Sequence, residues 1–316
     1  GTFRTSIVFG IINIGLGLLV YRFFTKDAPE KRKKVLELSA IGCLVFFGAL
    51  ATYSGQLLQH WEDSFFTSRV VYSKQTPYQQ LVVTKNKKDI RLYINRIIQF
   101  SSIDEYRYHE ALVHPALAGL ETPSRVLVLG GGDGLALREI FRYPGIDSVV
   151  LVDLDPAVTR LFKSHEALAT LNSRALHDPR LRLVHQDAFR WIRENQEPFD
   201  AVIIDFPDPS NYSLGKLYSL RFYRALRGVL KPHARIAIQS TSPLIARNSY
   251  WCVKHTLEAA GYAIHPYHVY VPSFGEWGFL LAGIERPSLP HHYPKDLKYV
   301  NTATMQACSQ FPEYIK

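Results

Sequence analysis

The sequence predicts an α/β protein built on a doubly wound, mostly parallel sheet, preceded by a small antiparallel β lobe and an apolar helical hairpin. Three observations predict this. An apolar strand at residues 125–129 runs directly into the glycine-rich turn Gly130-Gly-Gly-Asp133-Gly134, and helical spacing follows. Short apolar strands and helical stretches then alternate to about residue 239. The first sixty or so residues contain two long apolar runs.

The apolar runs cover residues 6–21 and 38–53 and are joined by a charged loop at residues 26–34. Each is close to the lower limit of about 17–25 residues that a helix needs to cross a bilayer. A hairpin buried in a soluble protein is the alternative. We favour membrane insertion, because glycine-containing apolar helices flanked by Arg4, Arg22 and the basic loop match a transmembrane pair. The chain also begins without a methionine, which suits a piece of a longer membrane protein.

The region after the hairpin predicts a small β lobe. Residues 69–73, 78–84 and 90–94 are short β-branched or alternating runs separated by polar turns. A helix at residues 104–114 follows and is expected to end before Pro115. The predicted division of the chain is therefore a hairpin at residues 1–58, a β lobe with its helix at 59–118, a sheet domain at 119–290 and a tail at 291–316.

The glycine turn predicts a nucleoside site. Gly130 and Gly132 lack a Cβ, which lets the backbone approach a ligand at the carboxyl edge of the sheet. About twenty residues further on, Asp153 ends the next predicted strand, where a carboxylate commonly accepts the hydroxyl groups of a ribose. The turn carries Asp133 and lacks the Lys-Ser/Thr of a phosphate loop. Because an acid repels a pyrophosphate, the ligand is predicted to be a nucleoside with a positive or neutral tail, such as an S-adenosyl sulfonium.

Further acids follow the predicted strands at residues 181–185 and 201–204. A last strand of the same sheet is predicted at residues 235–239. Asp187, followed by Ala188, is interpreted either as a contact to the adenine edge or as a helix N-cap. Asp205 and Asp208 stand three residues apart in a proline-rich loop, where they are either structural or catalytic. Convergence with Asp133 and Asp153 favours chemistry on a cationic amine: one carboxylate takes a proton from the attacking nitrogen and the others hold the remaining ammonium.

Composition narrows the partners. The chain has 316 residues and a formal net charge of +9. Its basic residues are scattered, so we favour a solvated surface with attraction to anionic lipid over nucleic-acid binding. Cys43, Cys252 and Cys308 fit no metal or disulfide spacing and indicate a reduced compartment. The pair His291-His292 is predicted to lie in an exposed tail, and no metal site is predicted.

From about Trp61 to its end, the chain resembles the spermidine synthase family of polyamine aminopropyltransferases. Its apolar front resembles the membrane-bound bacterial branch of that family. The resemblance rests on several ordered motifs: Tyr78-Gln79, Asp104-Glu-Tyr-Arg-Tyr108-His109-Glu110, Gly130-Gly-Gly-Asp133-Gly134, Asp153-Leu-Asp155, Gln186-Asp187-Ala188, Asp205-Phe-Pro-Asp208-Pro209 and Pro272-Ser-Phe-Gly-Glu-Trp-Gly-Phe279.

The resemblance implies a Rossmann-like domain that moves an aminopropyl group from decarboxylated S-adenosylmethionine, a co-substrate and not a permanent cofactor, to a primary amine such as putrescine. Methylthioadenosine is released. Asp205 would accept the proton and Asp208 would fix the amine, in a protein expected to form a homo-oligomer such as a dimer. Gln79, Gly130, Gly132, Asp153, Asp187 and Ala188 would bind the donor, and Tyr108, His109 and Asp133 would line the amine channel. His109 could instead simply cap or pack its helix.

Departures from the family pattern concern the acceptor. Phe274 replaces a common tyrosine, Ser210-Asn-Tyr212 replaces a Gly-Pro, and the loop at residues 241–248 lacks an acid often found beside the amine.

Two other functions stay open: a methyltransferase that uses S-adenosylmethionine, and a non-catalytic membrane protein that binds polyamine or nucleoside. Loop charge would place residues 26–34 in the cytoplasm, and a two-span hairpin would then send the C-terminal domain to the other side of the membrane. The donor is made inside cells, which argues for the opposite placement. We give this chemistry more weight than the charge of a short loop and expect an inner-membrane protein with a cytoplasmic catalytic domain.

Overall fold

The structure is a computed structural model that describes residues 2–24, 29–63, 66–209 and 211–315. Gly1, part of the charged loop at residues 26–34, and Ser210 lie outside the described residues. The chain divides into two compact units, Gly1–Val70 and Val71–Lys316.

The first unit holds the helices α1 (Thr2–Phe24) and α2 (Glu30–Asp63), so the predicted boundary at residue 58 falls inside a helix. Their segments Thr5–Phe24 and Glu30–Tyr53 each have a mean hydropathy of 2.0 and are long and apolar enough to cross a membrane. Almost none of their apolar surface is buried within the fold. The helices approach closely at Gly10, where an added Cβ would lie 2.7 Å from the Phe47 ring.

A four-stranded sheet forms the β lobe, in the order β1 (Arg69–Gln75), β2 (Gln80–Lys85), β3 (Ile90–Ile94) and β4 (Ile97–Ser101). Strands β2, β3 and β4 pair antiparallel, as the alternating sequence predicts. Strand β4 was not predicted. The signal for it is the two-residue turn at Asn95 and Arg96, whose φ values of 50° and 68° are those of a tight hairpin.

Helix α3 (Glu105–Leu117) continues through Pro115, so the prediction that it ends before this proline is wrong. Proline has no N–H and cannot donate to the carbonyl of Ala111 four residues earlier. The Tyr267 hydroxyl donates to that carbonyl instead, at 2.8 Å. The lost helical hydrogen bond is therefore replaced by one from a strand far along the chain.

A seven-stranded sheet forms the main domain, in the order β10-β11-β9-β8-β5-β6-β7. The five strands from β9 to β7 are parallel, and β10 and β11 are antiparallel, which the sequence reading did not foresee. The strands are β5 (Arg125–Gly130), β6 (Ser148–Asp153), β7 (Leu181–His185), β8 (Phe199–Asp205), β9 (Leu230–Gln239), β10 (Ala263–Val271) and β11 (Gly275–Gly283). The helices are α4 (Leu135–Ile140), α5 (Pro156–Ser164), α6 (Glu166–Leu171), α7 (Ala188–Glu194), α8 (Tyr212–Gly215), α9 (Leu220–Leu226), α10 (Arg247–Ala259) and α11 (Thr302–Cys308).

The sheet is covered on both faces, which confirms the doubly wound α/β prediction. Along β5, Val126 and Val128 belong to a core that includes α3, α4 and α5, whereas Leu127 and Leu129 belong to a second core with α7, α9 and α10. All four side chains are fully buried. Because both faces of such a strand are buried, a ligand can reach it only at its carboxyl end, where the glycine turn begins.

The residues after β11 fold back onto α3. The carboxylate of Glu110 accepts hydrogen bonds from the backbone N–H groups of Lys298, Tyr299 and Val300 at 2.8–2.9 Å. His291 and His292 are exposed, as predicted. Part of the predicted tail is therefore packed onto the domain through the buried carboxylate of Glu110.

Candidate active site

The candidate site lies where β5, β6 and β8 end side by side. Gly130 has a φ of 80°, and a Cβ there would overlap the carbonyl oxygen of Asp205 at the end of β8. A Cβ on Gly132 would lie 2.6 Å from a carboxylate oxygen of Asp153 at the end of β6. The glycines thus let the turn pack directly against two of the predicted site acids.

Asp153 is tied to this turn. Its Oδ2 accepts from the Gly132 N–H at 3.1 Å, and its Oδ1 accepts from the Asp155 N–H at 2.9 Å. Burial raises the pKa of Asp153 to about 6, although the two backbone hydrogen bonds oppose that shift. The carboxylate is thereby held in one orientation at the edge where a ribose was predicted.

Gln79 comes to the same edge from the β lobe but contacts Asp155, not Asp153. Its Nε2 donates to Asp155 Oδ2 at 3.1 Å, and the Thr76 hydroxyl donates to the same oxygen at 2.7 Å. The other Asp155 oxygen caps α5 through the Ala157 N–H at 2.9 Å. Asp155 therefore joins the β lobe to the sheet, and the donor-binding role of Gln79 stays a prediction.

Asp187 has the capping role that the sequence left open. It accepts from the Arg190 N–H at 3.0 Å at the start of α7, where Ala188 is the first helical residue. Its other oxygen pairs with Lys216 Nζ at 2.5 Å. Burial alone would raise its pKa, but the Lys216 contact and the backbone donors outweigh burial and lower it. The predicted contact to adenine remains a prediction beside this role.

Asp205 is the centre of the acidic group. Its Oδ1 accepts from the Tyr108 hydroxyl at 2.5 Å. Burial, and then the charge of Asp133, raise the pKa of Asp205 to about 6, while His109 and the Tyr108 hydrogen bond oppose this shift. Burial likewise raises the pKa of Asp133. The structure thus brings together Tyr108, His109, Asp133 and Asp205. Their catalytic and amine-binding roles stay predictions.

A buried ion-pair network stands behind His109. Its Nδ1 lies 2.8 Å from Oε2 of Glu105 and 2.9 Å from the Glu105 backbone oxygen. Arg138 grips the same carboxylate with two guanidinium nitrogens, at 2.8 and 3.0 Å. Burial would lower the pKa of His109, but the hydrogen bond and charge of Glu105 outweigh burial and raise it. Sequence reasoning missed Glu105 and Arg138, although both lie within or next to motifs that it quoted.

Asp208 is held by a second network at the end of β9. The Thr241 hydroxyl donates to its Oδ2 at 2.9 Å, and Gln239 Nε2 lies 3.4 Å from its Oδ1. Gln239 Oε1 accepts from the Trp277 indole at 3.0 Å, which fixes the orientation of the amide. Thr241 has a φ of 46°, an uncommon conformation for a β-branched residue and one that clusters at functional sites. Burial raises the pKa of Asp208 against these hydrogen bonds.

Gln239 and Thr241 were not predicted as site residues. Gln239 ends an apolar strand in the same way as Asp205, and that position is the signal that could have found it. Phe274, the residue that replaces a tyrosine, packs edge-on against Tyr108 with ring centroids 6.0 Å apart. Among the residues that the structure describes, no group of three or more His, Cys, Asp or Glu could hold a metal ion.

The spermine/spermidine synthase domain matches residues 105–287, which hold most of the site. The chain belongs to the spermine/spermidine synthase family. It is 46% identical over 315 residues to a polyamine aminopropyltransferase of Leptospira interrogans, covering 99% of this chain and 62% of that protein. It is 45% identical over 318 residues to polyamine aminopropyltransferase 2 of Ralstonia nicotianae, covering 98% of this chain and 62% of that protein.

Solved structures of the family share the fold. Spermidine synthase from Thermotoga maritima aligns with a TM-score of 0.71 at 24% identity, over 78% of this chain and 86% of that one. A spermidine synthase in complex with the transition-state analogue AdoDATO aligns with a TM-score of 0.73 at 24% identity, over 78% and 87% of the two chains. The spermidine synthase resemblance and the fold prediction are therefore confirmed. The chain spans roughly three fifths of the length of its curated relatives, 62% of the Leptospira interrogans protein.

Proposed function

We propose that the protein is an aminopropyltransferase that uses decarboxylated S-adenosylmethionine and a primary amine such as putrescine, and releases methylthioadenosine. The observation that carries this proposal is Asp205, a carboxylate with its pKa raised to about 6, set between Tyr108, His109 and Asp133 beside the glycine turn. A general base is most effective when its pKa lies near the working pH. The names of the family relatives agree with this activity.

The donor side of the proposal uses the turn and the ends of β6 and β7. Gly130 and Gly132 leave room for close approach to the backbone, and Asp153 stands at the ribose position. Gln79 and Asp187 border the same edge through their contacts with Asp155 and Lys216. These residues bind and orient the donor, and the nearby acids favour its cationic sulfonium.

The proposed transfer is a direct displacement at carbon that needs only the two substrates and one protein base. The attacking nitrogen forms a bond to the propyl carbon next to the sulfonium, and the carbon–sulfur bond breaks so that sulfur leaves as a neutral thioether. The nitrogen gives one proton to Asp205, whose orientation is fixed by the Tyr108 hydroxyl. Asp208, held by Thr241, takes the far ammonium of the amine. Positioning of the two reactants and one local base supply the catalysis.

A membrane location is part of the proposal. The segments Thr5–Phe24 and Glu30–Tyr53 have the length and hydropathy of transmembrane helices, and their apolar side chains are not covered within the fold. Burial of so many apolar side chains in lipid is strongly favourable. The protein is accordingly proposed to sit in the inner membrane with its catalytic domain in the cytoplasm, where the donor is made, and to assemble as a homodimer.

The decisive experiment separates aminopropyl transfer from methyl transfer. Asp133 and the loop that carries Asp205 and Asp208 place negative charge around the donor tail and the incoming amine, whereas S-adenosylmethionine brings a carboxylate. One like-charge contact at about 4 Å costs about 4 kcal/mol at an effective dielectric of 20. A quarter of that cost gives about fivefold discrimination.

The purified protein is incubated with each donor and a panel of diamines and polyamines. We expect release of methylthioadenosine with the decarboxylated donor, and a preference for it of at least about fivefold. Formation of S-adenosylhomocysteine and a methylated product would instead establish the methyltransferase. Binding without any product would support the non-catalytic alternative.

A further inference from the structure

The two acceptors at His109 Nδ1 determine which ring nitrogen carries hydrogen. Nδ1 faces the Glu105 carboxylate at 2.8 Å and the Glu105 backbone oxygen at 2.9 Å. An ionised carboxylate and a carbonyl can only accept hydrogen bonds. Nδ1 therefore holds its hydrogen in both charge states of the ring, and Nε2 is the nitrogen that gains or loses a proton.

Arg138 holds Glu105 in the form that this arrangement needs. It donates to Oε1 at 2.8 Å and to Oε2 at 3.0 Å, a two-pronged contact that fits the planar carboxylate. The Glu105 side chain is only 4% exposed, so without a cation it would favour the protonated form. A protonated Glu105 could donate to Nδ1 and move the ring hydrogen to Nε2.

Arg138 is itself fixed from its other side. Its Nε donates to Glu139 at 2.7 Å, and its Nη1 also donates to the carbonyl of Leu171 at 2.9 Å. The guanidinium thus has hydrogen-bond partners on three sides and little freedom to turn.

Nε2 is the nitrogen available to a ligand. No hydrogen bond joins it to another group in the described part of the chain, and the ring is charge-coupled to Asp133 and Asp205. A protonated Nε2 would place a cation against a cationic amine. A neutral Nε2 instead offers a lone pair to an amine N–H.

We propose that Arg138 is a positioning residue for the amine: by gripping Glu105 it keeps the hydrogen of His109 on Nδ1 and leaves Nε2 to accept an N–H of the incoming amine. This inference rests on the proposed function. The groups that face His109 are Glu105 on its own helix, Asp133 in the glycine turn and Asp205 at the end of β8. Arg138 acts on His109 only through Glu105.

The test measures kcat/KM for the amine across the neutral and alkaline range with the whole 316-residue chain. Arg138→Met removes a positive charge beside the Glu105–His109 pair, so the pair keeps its proton to higher pH. We expect kcat/KM at neutral pH to fall roughly tenfold to a hundredfold, and its acidic limb to move to higher pH, with the KM of the donor little changed. Arg138→Lys keeps the charge but not the two-pronged contact, and should restore the limb while recovering only part of the rate.

Arg142→Met is the matched control. Arg142 follows the same helix and pairs with Glu139 at 2.7 Å, but it does not touch Glu105. Its loss should leave the pH profile as in the wild type. A uniform fall in rate for Arg138→Met with an unmoved acidic limb would reduce Arg138 to a structural role and overturn the proposal.

A second measurement does not depend on turnover. Solid-state NMR of protein labelled with ¹⁵N-histidine, in lipid, reports which ring nitrogen carries hydrogen, and the difference from His109→Gln assigns the signal. We expect hydrogen on Nδ1 of neutral His109. Hydrogen on Nε2 in the wild type would overturn the inference whatever the enzyme does. Absence of aminopropyl transfer with the expected NMR result would overturn the proposed function alone.

Discussion

Replacing Asp205 by Asn should abolish turnover without disturbing the fold, because it exchanges a single side-chain oxygen for an NH2 group. The amide keeps the size of the side chain and can still accept the Tyr108 hydrogen bond that the carboxylate accepts at 2.5 Å, but it cannot take a proton from the amine. Loss of a general base costs about a hundredfold to ten-thousandfold in rate. Binding of methylthioadenosine should remain close to that of the wild type, because the donor residues lie on other strands.

The same substitution should stabilise the protein at neutral pH. The pKa of Asp205 is raised from 3.8 to about 6 in the folded chain, so the folded state disfavours the ionised form. The stability that protonated Asp205 contributes is therefore fully present below its ordinary pKa of 3.8 and is lost as pH rises through about 6. A difference of about two pKa units means that ionising Asp205 at neutral pH lowers the free energy of unfolding by at most about 3 kcal/mol. Asn cannot ionise, so the variant avoids this loss. Activity has the opposite dependence, because Asp205 must be ionised to accept a proton. Its ionisation and that of the Glu105–His109 pair together set the acidic limb of the rate profile.

The assay pairs single-turnover release of methylthioadenosine with thermal unfolding, each measured across pH. Asp200→Asn is the control: it makes the same change on the same strand β8, at a carboxylate that accepts from Lys231 at 2.9 Å. That variant should keep its turnover and lose stability. An Asp205→Asn enzyme with near-wild-type rates, or one that is less stable than the wild type at neutral pH, would refute the reasoning.

Three further outcomes test other parts of the structure. The full chain should partition with membranes, whereas a chain lacking both apolar helices should stay in solution and still bind methylthioadenosine; a full chain that is monodisperse without detergent would contradict the anchor. Tyr267→Phe should lower the free energy of unfolding by about 1–3 kcal/mol, because the Ala111 carbonyl loses its donor, while Tyr270→Phe, on an exposed residue of the same strand, should change it little in denaturant titrations. Thr241→Val should raise the KM of the amine roughly tenfold by freeing Asp208, with Thr241→Ser restoring it; a loss confined to kcat would argue against this role.

The sequence was most informative where one local rule decides the structure. Asp153 and Asp205 could be placed because each ends a continuous apolar strand, and parallel strands bring such ends to one edge. Asp187 was recognised as a candidate N-cap for the same local reason, and the cap is present. The order of the elements from the glycine turn to β9 was predicted from alternation alone.

Long-range partners account for what was missed. Local rules end a helix before Pro115. The Tyr267 hydroxyl, supplied by a strand more than 150 positions away, donates the hydrogen bond that the proline cannot make. The contact between Arg138 and Glu105 likewise joins two motifs that are separate in the sequence. No spacing rule pairs such residues, because their meeting depends on how α3 packs beside α4.

Because no side chain fits at position 130 against the Asp205 carbonyl, the backbones at the ends of β5 and β8 lie in direct contact. The separation between the glycine turn and Asp205 is therefore set by the pairing of β5 with β8. The contacts proposed for the far end of the amine come instead from the loops after β8 and β9, where Asp208 and Thr241 lie. Substitutions in those loops could thus change which amine the protein accepts without altering the residues that carry out the transfer step.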